Sequence, residues 1–237
     1  HFALTIAGAL ILTSGIFSTI TTTSGISNNI TVTGTSSITG TMTTNTSTII
    51  TTGLVTVNTG GTFGGNTAYT WNINGGVTNS GGTINSGTGT VTLAASKTFA
   101  NTTGTVNING GNFWGTSSTT SIVTSGGTWN WATVNIKLLD FQFAITSGAY
   151  TLTASGNIQT DAVTVSVSGT LAIVSYTFTV DGTFSNSGAT TFTTGTAVLN
   201  STLAIPAGTF GSATAYTLDL NGNLLASVGT LIAPTVS

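Results

Sequence analysis

Six side chains carry the formal charge of this 237-residue chain: Lys97, Lys137, Asp140, Asp161, Asp181 and Asp219. Catalysis needs two or three groups of the His, Asp, Glu, Lys or Cys kind within hydrogen-bond reach of one another. Here Cys is absent, the one His is His1, and the four Asp stand singly. Without Cys there are no disulfides, thiol chemistry or thiolate zinc sites. Calcium-binding β-rolls need dense Gly-Gly-x-Gly-x-Asp arrays, and the chain has none. The glycine run at Gly60–Gly65 lacks the following Lys-Ser/Thr of a phosphate loop. We therefore expect no enzyme, no catalytic residues, no metal and no cofactor. Asp181 and Asp219 read as turn residues, in the corner slot held by Asn74 and Asn109 in other copies of an internal repeat. There their carboxylates would bond local backbone amides.

Recognition chemistry has three sources. Asn29, Asn45, Asn101 and Asn200 head Asn-x-Ser/Thr sequons and are candidate glycan acceptors. Trp114, Trp129 and Trp131 are candidates for an aromatic contact surface facing a sugar or a partner. Thr-x-Thr pairs such as Thr31/Thr33, Thr41/Thr43 and Thr177/Thr179 raise an ice-binding face as a minor expectation. Nucleic acid is not an expected partner, because a net charge of −2 leaves no basic patch. Mean hydropathy is +0.41, yet no apolar run reaches the roughly 18 residues of a spanning helix, so no membrane span is expected.

These residues sit on a nearly monotonous framework. Thr, Ser, Asn and Gly together exceed half of the chain, while 39% is hydrophobic. Short runs alternate apolar and polar residues and end at Gly, as in Thr105-Val106-Asn107-Ile108 and Val163-Thr164-Val165-Ser166-Val167. That is the strand signature, in residues whose branched Cβ suits a pleat. Residues 61–75 (GTFGGNTAYTWNING) recur as 208–222 (GTFGSATAYTLDLNG), and 69–83 recur as 176–190. A weaker theme starts at Tyr69, Gly104, Tyr150, Tyr176 and Tyr216, at uneven spacing. Such repeats predict an all-β parallel β-solenoid of about 20 residues per coil, with apolar ladders inside and Thr/Ser/Asn ladders outside. Gly and Asn are expected at corners that need positive φ. A charge ladder would repel itself in such a stack, which suits a chain this poor in charge. The alternative is an antiparallel β-sandwich of pilin type, with Phe2–Ile20 as an N-terminal donor strand. The solenoid reading makes that segment the first coil instead. We treat 1–237 as one elongated domain. Residues 129–145 lack Gly and break alternation at Leu138-Leu139, which predicts a bulge or turn, with a repeat-block junction as one outcome.

The stretches GTGTVTLAASKTFANTTGTVNINGG (87–111) and GTLAIVSYTFTVDGTFSNSG (169–188) resemble the β-strand repeats of bacterial surface proteins, namely autotransporter passengers and filamentous-haemagglutinin-like adhesins. The resemblance implies a parallel β-helix acting outside the cell or at its surface. Both ends of the chain are apolar and carry no charged cap, so free ends would be sticky. The expected function is a structural subunit of an extracellular filament, sheath or surface layer, whose partners are copies of itself. The alternative is an adhesin or glycan-binding segment of a larger cell-surface protein.

Overall fold

The computed structural model describes residues 3–18, 29–44, 47–65, 67–108, 112–115, 120–124, 128–131, 136–145, 148–154, 158–173, 177–214 and 216–232. Among them are 31 strands and no helix. The fold is a parallel β-solenoid. Most coils lay down three short strands, one on each of three faces, and the next coil repeats them one layer further on. The first face stacks Ala3–Ile6, Asn29–Val32, Thr48–Thr51, Thr70–Ile73, Thr90–Leu93 and Asn112–Gly115. The second begins at Leu10–Leu12. The third runs eleven strands deep, from Ile16–Ser18 to Thr230–Ile232.

All strand-to-strand pairings among the described residues are parallel. This overturns the sandwich alternative. The described residues within Phe2–Ile20 form no donor strand: Ala3–Ile6, Leu10–Leu12 and Ile16–Ser18 are the three strands of the first described coil. The coil step varies, from 26 residues between Ala3 and Asn29 to 19 between Ile30 and Ile49. The weak sequence theme is uneven for a further reason. It encodes a strand and its corner, and it is used on more than one face: Thr70–Ile73 lies on the first, Thr105–Ile108 on the third.

Inward positions form the expected ladders. On the first face Leu4, Ile30, Ile49, Trp71 and Val91 stand in one column. Trp71 is fully buried, 4.2 Å centroid to centroid from Phe63. Its indole N–H donates to the buried Thr51 hydroxyl at 3.1 Å, so the one polar residue in the neighbouring column satisfies the ring nitrogen. Outside, the third face presents a Thr column of Thr41, Thr62, Thr83 and Thr105.

The irregularity read at residues 129–145 is present in the backbone. Ile136–Ile145 is a ten-residue strand whose register against Ile158–Val165 shifts between Leu138 and Gln142. Before this point the first and second faces are separate. The two long strands join them, and two branches then run on: one through Phe178 and Ala197 to Leu218, the other through Phe184 and Leu203 to Leu224. The strand Asn112–Gly115 lies against Ile136–Ile145, so the first of these branches continues the first face.

Candidate functional site: the corners and the terminal coils

The sequons do not share one environment. Asn29 is exposed and its Oδ1 accepts from the Thr48 amide at 3.1 Å. Asn101 is fully buried, which leaves no room for a glycan in the folded chain. Asn200 is exposed, and Asn45 lies outside the described residues. Trp114 is on a first-face strand, whereas Trp129 and Trp131 are on a third-face strand, in register with Val106 and Ile108. The three therefore do not share a face; their side chains lie outside what is described.

The expectation for the two Asp residues needs correction. Asp181 is at a corner, but its carboxylate is not turned onto local amides. It accepts from Gln159 Nε2 at 2.6 Å and from Asn200 Nδ2 at 2.8 Å, and Asn221 Nδ2 donates to Asn200 Oδ1 at 3.1 Å. One polar ladder thus descends through four coils. Asp219 is in the strand Thr217–Leu220, and Asn221 holds the corner slot instead. Among the described residues no three His, Asp or Glu side chains gather into a metal-sized cluster, and no helix is long and apolar enough to cross a membrane. On the third face the Thr-x-Thr pair Thr41/Thr43 does not recur in the next layers, where Gly64, Asn85 and Asn107 take the second position, and Asn107 Nδ2 donates to Asn85 Oδ1 at 2.8 Å.

The corners carry two devices that reading along the chain misassigned or missed. Asn was expected there for positive φ. Among the described residues, however, every positive-φ position is Gly except Ser96. Asn79 acts through its buried side chain. Its Nδ2 donates to the Gly82 and Thr105 carbonyls at 3.1 and 3.2 Å, and its Oδ1 accepts from the Gly82 amide at 3.0 Å. Asn186, the same position in the second internal repeat, bonds the Gly188 and Thr209 carbonyls. The other device uses Tyr69 and Tyr216, which donate to the carbonyls of Asn85 (2.5 Å) and Ile232 (2.8 Å). Gly64 and Gly211, both at positive φ, leave room for those hydroxyls, since a Cβ there would meet them. Burial pushes both phenols above their ordinary pKa, Tyr69 very strongly. The longest sequence repeat is the signal that marks this device.

The terminal coils are where ladders run out. No residue of the first coil is buried, and none of Thr217–Leu220, Leu224–Ala226 or Thr230–Ile232 is either. Leu4 is 43% exposed, Ile11 68%, Ile16 75% and Leu225 60%. Ile6, Leu10, Leu12 and Phe17 pack on the core at one end, and Leu218, Leu220 and Leu231 at the other. Among the described residues the strands of the first and last coils are paired on one side only. No family model, no curated protein and no solved structure matches this chain.

Proposed function

We propose that this chain is a non-enzymatic structural subunit of an extracellular filament, sheath or surface layer, associating end to end with copies of itself. One observation carries the reading: the fold is an open stack in which each coil is covered by its neighbours through parallel pairing, so the same pairing can continue from one copy into the next. Burying an inward apolar side chain at such a junction contributes about 1.5–3 kcal/mol when complete. A contact between unlike ends is heterologous and propagates as a fibre where its rotation does not close a ring. The outward surface is Thr, Ser and Asn with few charges, so lateral contact meets little like-charge repulsion. The strand-repeat style shared with autotransporter passengers and filamentous-haemagglutinin-like adhesins supports placement at or beyond the cell surface.

The test is sedimentation across a range of concentrations at neutral pH, with cryo-electron microscopy of the same samples. Concentration-dependent filaments with strands about 4.8 Å apart along an unbroken axis are expected. Discrete rods at every concentration would overturn the reading and favour an adhesin segment.

A further inference from the structure

We propose a site of spontaneous covalent modification that the fold itself sets up: Asn74, at the corner after the first-face strand Thr70–Ile73, cyclises with Gly75 and is converted to aspartate and iso-aspartate. Asn74 is exposed, and among the described residues its side-chain amide makes no hydrogen bond. The Gly75 backbone N–H has no partner among them either. The electrophile and the nucleophile are therefore adjacent and both unengaged. Attack within one residue step carries no cost of bringing two molecules together.

The step balances with water as the co-reactant. The Gly75 nitrogen gives up its proton to hydroxide, and its electron pair forms a bond to Asn74 Cγ. The Cγ–Nδ2 bond breaks, and Nδ2 leaves as ammonia once it has taken a proton from water. A second water then opens the cyclic imide at either carbonyl. Opening at Cγ leaves aspartate. Opening at the backbone carbonyl leaves iso-aspartate, in which the chain runs through Cβ and Cγ. Either product adds a negative charge to a chain whose net charge is −2.

The stacking of coils is what keeps glycine here. Gly34, Gly53 and Gly75 stand in one corner column, and a Cβ on Gly75 would run into the Gly53 backbone. Gly75 has no positive φ, so this close approach alone requires glycine. The same missing Cβ leaves the attacking nitrogen unhindered. The slot before it is free to vary: Thr33, Thr52 and Asn74 fill it in successive coils, each donating its backbone N–H to the coil before. The internal repeat supplies a comparison. Asn221 and Gly222 are the same two positions in residues 208–222, and Asn221 is also exposed. Its Nδ2, however, donates to Asn200 Oδ1 at 3.1 Å. That amide must leave its ladder before it can cyclise. The remaining Asn-Gly pair, Asn109 and Gly110, lies outside the described residues.

The test is prolonged incubation of the folded full chain in mildly alkaline buffer, followed by ion-exchange chromatography and peptide mapping by mass spectrometry. Asn74 is expected to convert about two- to tenfold faster than Asn221, the factor that releasing one hydrogen bond costs. In denaturant, where both pairs are free, the two rates are expected to become equal. Asn74→Thr, which copies Thr33 and Thr52, is expected to remove the early acidic species and to leave conversion at Asn221 unchanged. The iso-aspartate fraction is expected to melt below the unmodified chain, since its longer backbone presses Gly75 onto Gly53. Asn74 persisting as long as Asn221 in the folded chain would overturn the proposal. So would a rate difference that survives in denaturant, because the dipeptide's neighbours in sequence, and not the corner, would then set it. Early acidic species that remain in Asn74→Thr would place the modification elsewhere and overturn it as well.

Discussion

In the coil built from Thr70–Ile73, Val77–Ser80 and Thr83–Asn85, every inward residue is buried; in the coil Ala3–Ile6, Leu10–Leu12, Ile16–Ser18, none is. The two share apolar alternation and corner glycines. Trp71 and Leu4 even occupy the same column, two layers apart from each other's neighbours Ile30 and Ile49. The difference teaches that burial in a solenoid belongs to a layer's neighbours rather than to the layer, because one coil of short strands cannot enclose its own apolar face.

The comparison breaks most readily at its inner member. Trp71→Ala is expected to destabilise the chain by about 3–5 kcal/mol, since it empties a fully enclosed volume beside Phe63 and Phe99. Leu4→Ala in the unassembled chain is expected to cost less than about 1 kcal/mol. Denaturant unfolding of both variants checks this; equal losses would mean that the end coil is covered by something within the chain. A smaller effect, about 1–3 kcal/mol, is expected for Asn79→Ala, which leaves the Gly82 amide and two carbonyls without their partner inside the corner. Hydrogen exchange at Gly82 would locate the loss at that corner; protection equal to the unaltered chain would remove the capping role.

The smallest expected effect is that of pH. With six charged side chains, stability is expected to stay nearly flat between about pH 3 and 9. The sign changes in alkali. Tyr69 and Tyr216 hold raised pKa values through burial, so the unfolded chain loses its phenolic protons first. Stability is thus complete below the ordinary tyrosine pKa of about 10 and falls as pH rises beyond it. The more strongly shifted Tyr69, in the interior, should dominate, so Tyr69→Phe should flatten the alkaline limb more than Tyr216→Phe, near the end. Melting curves from pH 3 to 12 check both statements, and an acid transition inside the flat range would contradict the first.

Much of this fold was legible in the residues. Alternation in Thr105–Ile108 or Val163–Val165 marks strands, the Leu138-Leu139 slip marks the register shift, and scarce charge suits stacked like residues. The corner devices were less legible. The repeat of 61–75 at 208–222 was visible, but its reason, a tyrosine hydroxyl reaching a carbonyl one coil on past Gly64 or Gly211, needs the layers in place. Asp219 was misplaced because strand and corner share one polar-apolar alphabet, and only pairing tells Thr217–Leu220 from the corner at Asn221.

The amino-acid sequence by itself determined the local matters: strand, corner, inward or outward, and the absence of groups for most chemistry. These depend on backbone preference and period-two patterning, which neighbouring residues decide. The tertiary structure alone decided which residues meet across coils: Trp71 with Thr51, Asp181 with Gln159 and Asn200, Gly34 with Gly8. With coil steps ranging from 19 to 26 residues, no fixed period reaches those partners. Only the accumulated register of stacked strands brings them together.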